Sequence, residues 1–198
     1  AMLSVGNSIF YAPKDKKVHA DNARKNFYQG HPGDHLALMN AYNQWAETDY
    51  SHQWCVENFV QLRSMKRARD IRDQVEGLCE RTEVEMSSRA QDHNAICRAV
   101  TAGFFYHTAK LQRQGHYRTI KNPQTVHIHP SSALHGQQPR WVVYHELVFT
   151  TKEFMRQIVE IKSEWLVEIA PHYYKRKDVE DDAGKKMPKA VGKSSGTG

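Results

Sequence analysis

The chain has 198 residues and a formal net charge of +6, with 39% hydrophobic and 25% charged residues. That composition folds into one or two domains and makes an anionic partner the electrostatic expectation. No apolar run approaches the ~18 residues of a membrane span, no signal-type h-region opens the chain, and three separated cysteines without a CxxC pair argue for reduced thiols.

Residues 14–28 read as a helix opened by Pro13. Asp34 reads as the N-cap of a helix with Leu38, Met39, Tyr42 and Trp45 on one face, and Ser51 as the cap of a short segment holding Trp54, Cys55 and Phe59. Residues 63–81 give the clearest amphipathic helix, with Met65, Ala68, Ile71, Val75 and Leu78 recurring every three or four positions. A polar stretch over 82–92 precedes a further helix expected at 95–111. After Gln114-Gly115 the period changes to 2. Residues 117–120 and 125–129 alternate about a Lys121-Asn122-Pro123-Gln124 turn, and 141–151 and 154–161 read as longer strands. Ser163 reads as the cap of a short helix stopped by Pro171. Beyond Tyr174 composition collapses to Lys, Asp, Gly and Ser, which reads as a flexible basic tail.

The fold class expected is therefore α+β: an N-terminal helical bundle over 2–95, a small antiparallel β-barrel of OB type with its leading helix over 96–174, and a tail over 175–198. Charge divides the same way, with net −1 over 1–97 and net +7 over 98–198. The second half is the expected electrostatic footprint.

Chemistry is sparse. No GxxxxGK[ST] phosphate loop, HExxH or GxSxG motif occurs, and no catalytic residue is expected. His127 and His129 share a strand face and His93 and Cys97 stand four apart, yet neither pair has a third ligand nearby, so no metal site is expected. In the long helix Lys66, Arg69 and Arg72 each have an acid four residues on. Arg63 has no such partner and Arg67 has only Asp70, in first turns where the dipole disfavours cations. An anion held there, with Ser64 as an added donor, would relieve this; two solvated arginines are the competing reading. His129, Ser131 and Ser132 around Pro130, with Thr150, Thr151 and Lys152 after a later strand, could track a sugar–phosphate backbone. Ordinary turn chemistry is the alternative.

Taken together these residues resemble the C-terminal part of a DEAH-box RNA helicase of the spliceosomal type. The resemblance rests on Gly33-Asp34-His35-Leu36, Gln53-Trp54-Cys55-Val56-Glu57-Asn58-Phe59 running into Arg63-Ser64, and Ala102-Gly103-Phe104-Phe105. It continues through His129-Pro130-Ser131-Ser132, Trp141-Val142-Val143-Tyr144-His145-Glu146-Leu147, Thr150-Thr151-Lys152 and Trp165-Leu166-Val167-Glu168-Ile169-Ala170-Pro171, covering nearly all of 2–174. Ser8-Ile9-Phe10-Tyr11, Ser64-Met65-Lys66-Arg67 and His172-Tyr173-Tyr174-Lys175 are most similar to the subtype acting at spliceosome activation, just before the first catalytic step. Val56 stands where the family has an aromatic, and Ala37 where a hydroxyl residue is common.

The resemblance implies a ratchet-like helical domain followed by an OB-fold, with two RecA-like motor domains and a winged helix upstream. ATP and Mg²⁺ would belong to those motor domains, so this chain alone would need no cofactor. The implied partners are single-stranded pre-mRNA, a G-patch activator protein, other spliceosome components and the protein's own RecA-like domains, in the nucleus and away from membranes. Carried over by position, Asn58, Arg63, Ser64, Arg67, His129, Ser131, Ser132, Thr150, Thr151 and Lys152 are the RNA-binding candidates. A protein-docking module that recruits G-patch or other cofactors is the alternative, as is the same region of a DEAH helicase in ribosome biogenesis or mRNA release.

Overall fold

Helical periodicity governs the first half and strand alternation the second, and a computed structural model of the chain, describing residues 1–30 and 33–179, shows how the two meet. Short 3-10 turns at Met2–Val5 and Lys14–Lys16 lead into α1 (Lys17–Tyr28), α2 (Asp34–Glu47), α3 (His52–Glu57) and α4 (Leu62–Arg81). Ile9, Phe27, Ala41, Trp45, Cys55, Val60 and Met65 form their core. Ser51 caps α3 as its sequence indicates, its hydroxyl accepting the Trp54 N–H at 3.3 Å. The apolar stripe of α4 is only half covered: Met65 and Ala68 are buried, while Val75 and Leu78 stay 45% and 51% exposed.

α2 departs from its one-face reading. Leu36, Ala37, Ala41 and Trp45 are its buried apolar residues, with Asp34 buried beside them, and Leu38, Met39 and Tyr42 are only partly covered. The reason is that α2 serves two cores. Ala41 and Trp45 pack into the helical one, whereas Leu36 joins Trp141, Val143, Val159, Trp165, Leu166 and Tyr174 on the outside of the barrel. A helix covered from two sides needs more than one apolar stripe. Asp34 does not cap α2 either. The cap position is Gly33, and the Asp34 carboxylate instead accepts the backbone N–H of Ala133 at 2.8 Å and of Ile158 at 2.9 Å.

α5 (His93–Phe104) is shorter than the 95–111 helix expected, because residues Thr108–Leu111 leave it to become β1. There Thr108 and Ala109 are buried and β1 pairs with two neighbours, so ladder bonds on both sides replace the last helical turn. β2 (Tyr117–Thr119), β3 (Thr125–Ile128), β4 (Trp141–Phe149) and β5 (Glu153–Glu160) complete a closed barrel in the order β1-β2-β3-β5-β4. The barrel is not wholly antiparallel: β3 and β5 run parallel, His127 opposite Phe154. A ring of five strands cannot alternate direction all the way round, so one pair must be parallel. Ala109, Tyr117, Val126, Ile128, Leu134, Val142, Tyr144, Met155 and Ile158 fill its interior.

The β4–β5 ladder is interrupted at Gln157, which has φ +46°, but its register is unchanged: Tyr144 pairs with Ile158 on one side and Glu146 with Arg156 on the other. Across this break Met155 and Ile158, three residues apart, both face the barrel interior. At the seam between α2, α5 and β4 lies an aromatic and imidazole layer, in which His35 and His145 flank Phe104 and His107 stacks on Tyr144 at 4.9 Å. Ser163 begins α6 (Ser163–Ile169), whose cap position is Lys162. The tail reading is corrected at its start: Arg176–Val179 forms a turn, α7, tied by Lys121 to Asp178 at 2.9 Å and by a buried Val179. The rest of the expected tail, 180–198, lies outside the described residues.

Candidate nucleic-acid interface

The outward positions of β2, β3 and β5 set one strip of side chains side by side. Arg118 pairs across from Thr125, and His127 across from Phe154, whose ring lies 6.0 Å from His127 and 5.7 Å from His129. His116 adds a further ring 6.5 Å from His127. Because β3 and β5 are parallel, the β4–β5 turn stands at the start of this strip and the loop after β3 at its end. Thr150, Thr151 and Lys152 occupy that turn, all exposed, and it is closed by the Thr150 N–H donating to the Lys152 carbonyl at 3.0 Å.

At the far end the loop of His129, Ser131 and Ser132 is held from two sides. His129 Nδ1 accepts the Ser131 N–H at 3.1 Å and lies 2.7 Å from its hydroxyl, which leaves the proton of the neutral ring on Nε2. Arg24 of α1 donates to the Ser131 carbonyl at 2.7 Å and to the Tyr28 hydroxyl, with its guanidinium over the rings of Phe10 and Tyr28. From beneath, Asp34 holds Ala133; burial pushes its carboxyl up, against the pull of its two backbone bonds. A cleft of about 160 Å³ opens here between the N-terminal segment and the barrel, bordered by Arg24, His129, Ser131, His145 and Arg156.

The third predicted group sits apart. Arg63 and Arg67 are exposed one turn from each other on α4, beside Lys66 and Asp70, and no ion pair engages either among the described residues. Asn58 is partly buried and donates from Nδ2 to the Trp54 carbonyl at 2.9 Å. Ser64 is corrected as an anion donor: it is only 6% exposed, on the inner face with Met65 and Ala68. The charge pairing expected on α4 is also only partial. Arg72 reaches Glu76 at 2.9 Å, but Arg69 lies over the Tyr50 ring instead of pairing with Asp73.

The comparison with known families bears on the barrel. Residues 96–173 match the oligonucleotide/oligosaccharide-binding OB-fold family. In this fold oligonucleotides lie on the strand 2–strand 3 face and against the loops joining strands 1–2 and 4–5. Here those positions are Arg118, Thr125 and His127, with Thr150, Thr151 and Lys152 in the second loop. The sequence reading named residues of that loop and none of Arg118, Phe154 and Arg156 on the face. Arg118 lies between buried Tyr117 and Thr119, and Phe154 and Arg156 flank buried Met155, a signal present in the sequence; Arg24 gives none, since its partner lies 107 residues away.

Burial, and after it Lys152 and His116, holds the His127 imidazole below its ordinary range; burial, then Arg156 and Arg24, does the same for His129. Both shifts favour the neutral ring in the free protein. A phosphate brought alongside favours the charged ring and raises those values, so binding takes up protons. Affinity for a single strand is expected to rise as pH falls from about 7.5 to about 5.5, where imidazoles titrate. Binding curves over that range check it, and an affinity that is flat or falls in acid refutes it.

Proposed function

We propose that this chain is the C-terminal RNA-binding and regulatory region of an ATP-dependent DEAH-box RNA helicase that remodels the spliceosome. The observation that carries this reading is an OB-fold barrel whose ligand face bears Arg118, His127 and Phe154 between two hydroxyl-rich loops, one ending in Lys152. The helicase motifs in the sequence supply the class of parent enzyme. The sequence has neither a phosphate loop nor paired metal-binding acids, so its residues do not fit ATP or Mg²⁺. Nucleotide hydrolysis would belong to RecA-like domains of the same protein, in the nucleus. The chain would hold single-stranded pre-mRNA by its backbone while those domains step, with a G-patch protein as activator.

The test is a salt series. The chain is expected to bind single-stranded RNA weakly, with little base preference and with affinity falling steeply as salt rises. Arg63→Glu should weaken binding and flatten the log–log salt slope by about 1, the signature of one lost phosphate contact. Unchanged affinity and slope would return Arg63 to solvent, and no RNA binding at any salt would overturn the reading. The alternative of a protein-docking module draws on one observation, the exposure of Val75 and Leu78 on α4 and of Val84 and Met86 in the segment that follows it.

A further inference from the structure

Phe149 closes β4 at the β4–β5 turn, opposite Glu153, and is 76% exposed, the highest value among the exposed large hydrophobic residues described. A lone exposed apolar side chain is ordinary on a protein surface. This one differs in its setting. It stands on the last pair of the longest ladder in the barrel, so its backbone is fixed by seven registered pairs. The residues that follow it, Thr150, Thr151 and Lys152, are all exposed hydrogen-bond donors, one of them a cation. Glu153 brings the opposite charge, across the ladder. An apolar ring beside a row of backbone-tracking donors is the arrangement by which single strands are held without sequence readout: phosphates on the donors, a base on the ring.

We infer that Phe149 is a stacking platform for one unpaired nucleobase of a single strand whose phosphates lie against Thr150, Thr151 and Lys152. This rests on the RNA-binding reading and names the contact that reading lacks. Aliphatic cover would not need an aromatic ring at the tip, whereas every base offers a π-face for one. The ligand class is thus an unpaired base of any identity. A paired base, already stacked within a duplex, is excluded.

The experiment measures binding of the 198-residue chain to a fluorescein-labelled single-stranded RNA 12-mer and to the same backbone carrying abasic spacers. Wild type should prefer the 12-mer with bases. Phe149→Ala and Phe149→Leu should both lose affinity for it by about five-fold or more, and should bind the abasic strand as wild type does. Phe149→Trp should bind the 12-mer at least as well as wild type. Since the side chain is exposed, none of the three should alter the thermal melt, and circular dichroism confirms that each is folded. If Phe149→Leu keeps wild-type affinity, the ring serves as a greasy contact and stacking is overturned. If wild type binds and Phe149→Ala binds equally, stacking alone falls. If wild type binds neither strand, the RNA-binding reading falls and stacking with it.

Discussion

Asp34→Ala is expected to destabilise the protein by roughly 3 kcal/mol, the cost of leaving one buried and one partly buried N–H group without acceptors, less the relief of no longer burying a carboxylate. For a chain of this length that corresponds to a melting point about 6–12 °C lower. The prediction follows from one side chain linking three parts of the molecule. It opens α2, accepts the Ile158 N–H of β5, and accepts the Ala133 N–H of the loop that carries His129, Ser131 and Ser132. Losing it should therefore loosen that loop as well as the fold. Denaturant unfolding measures the first effect and amide exchange at Ala133 and Ile158 the second. Wild-type midpoint with equally slow exchange at both amides would show that the two N–H groups find other partners.

Gly33→Ala should cost at least as much. Gly33 has φ +150°, a region that residues with a side chain avoid, and a bridge pairs it with Val159. A Cβ built there would stand 2.4 Å from the Ile158 carbonyl oxygen and 2.7 Å from the Val159 Cα, both backbone atoms of a barrel strand. Neither can swing away as a side-chain tip would. Backbone strain and overpacking each carry about 1–3 kcal/mol, which sums to about 2–6 kcal/mol. The melt should fall by roughly 10 °C, with barrel and α2 affected together. A melt within a degree or two of wild type would mean that β5 shifts to accommodate the methyl group.

What could be foreseen in the sequence was local. Helical spacing placed α1, α3 and α4 and the Ser51 cap, and alternation placed the strands after Gln114, because those signals lie within a few residues of each other. What escaped was set by distant partners. Residues 108–111 continue a helical pattern until β2 and β4 compete for their backbone. Asp34 looks like a cap because it stands where caps stand; only the barrel reveals that its oxygens are needed 99 and 124 residues away. The outward strip of the candidate interface depends on which face each β5 residue takes, and across the break at Gln157 Met155 and Ile158, three apart, both enter the barrel core, which alternation alone does not announce. Loops rich in hydroxyls and imidazoles were visible as loops, whereas Arg24 entered the site purely through packing.

The double burial of α2 bears on how the molecule would carry force. Residues 82–92, the covalent link from helices to barrel, are nearly all exposed and lie outside both cores. A pull on a strand gripped at the barrel would not travel through that slack segment. It would pass from β5 into the Gly33 bridge and the Asp34 carboxylate, along α2, and into the helical core at Ala41 and Trp45. That path is a rigid lever of short hydrogen bonds and packed side chains. The barrel would accordingly transmit load to the helices with little give.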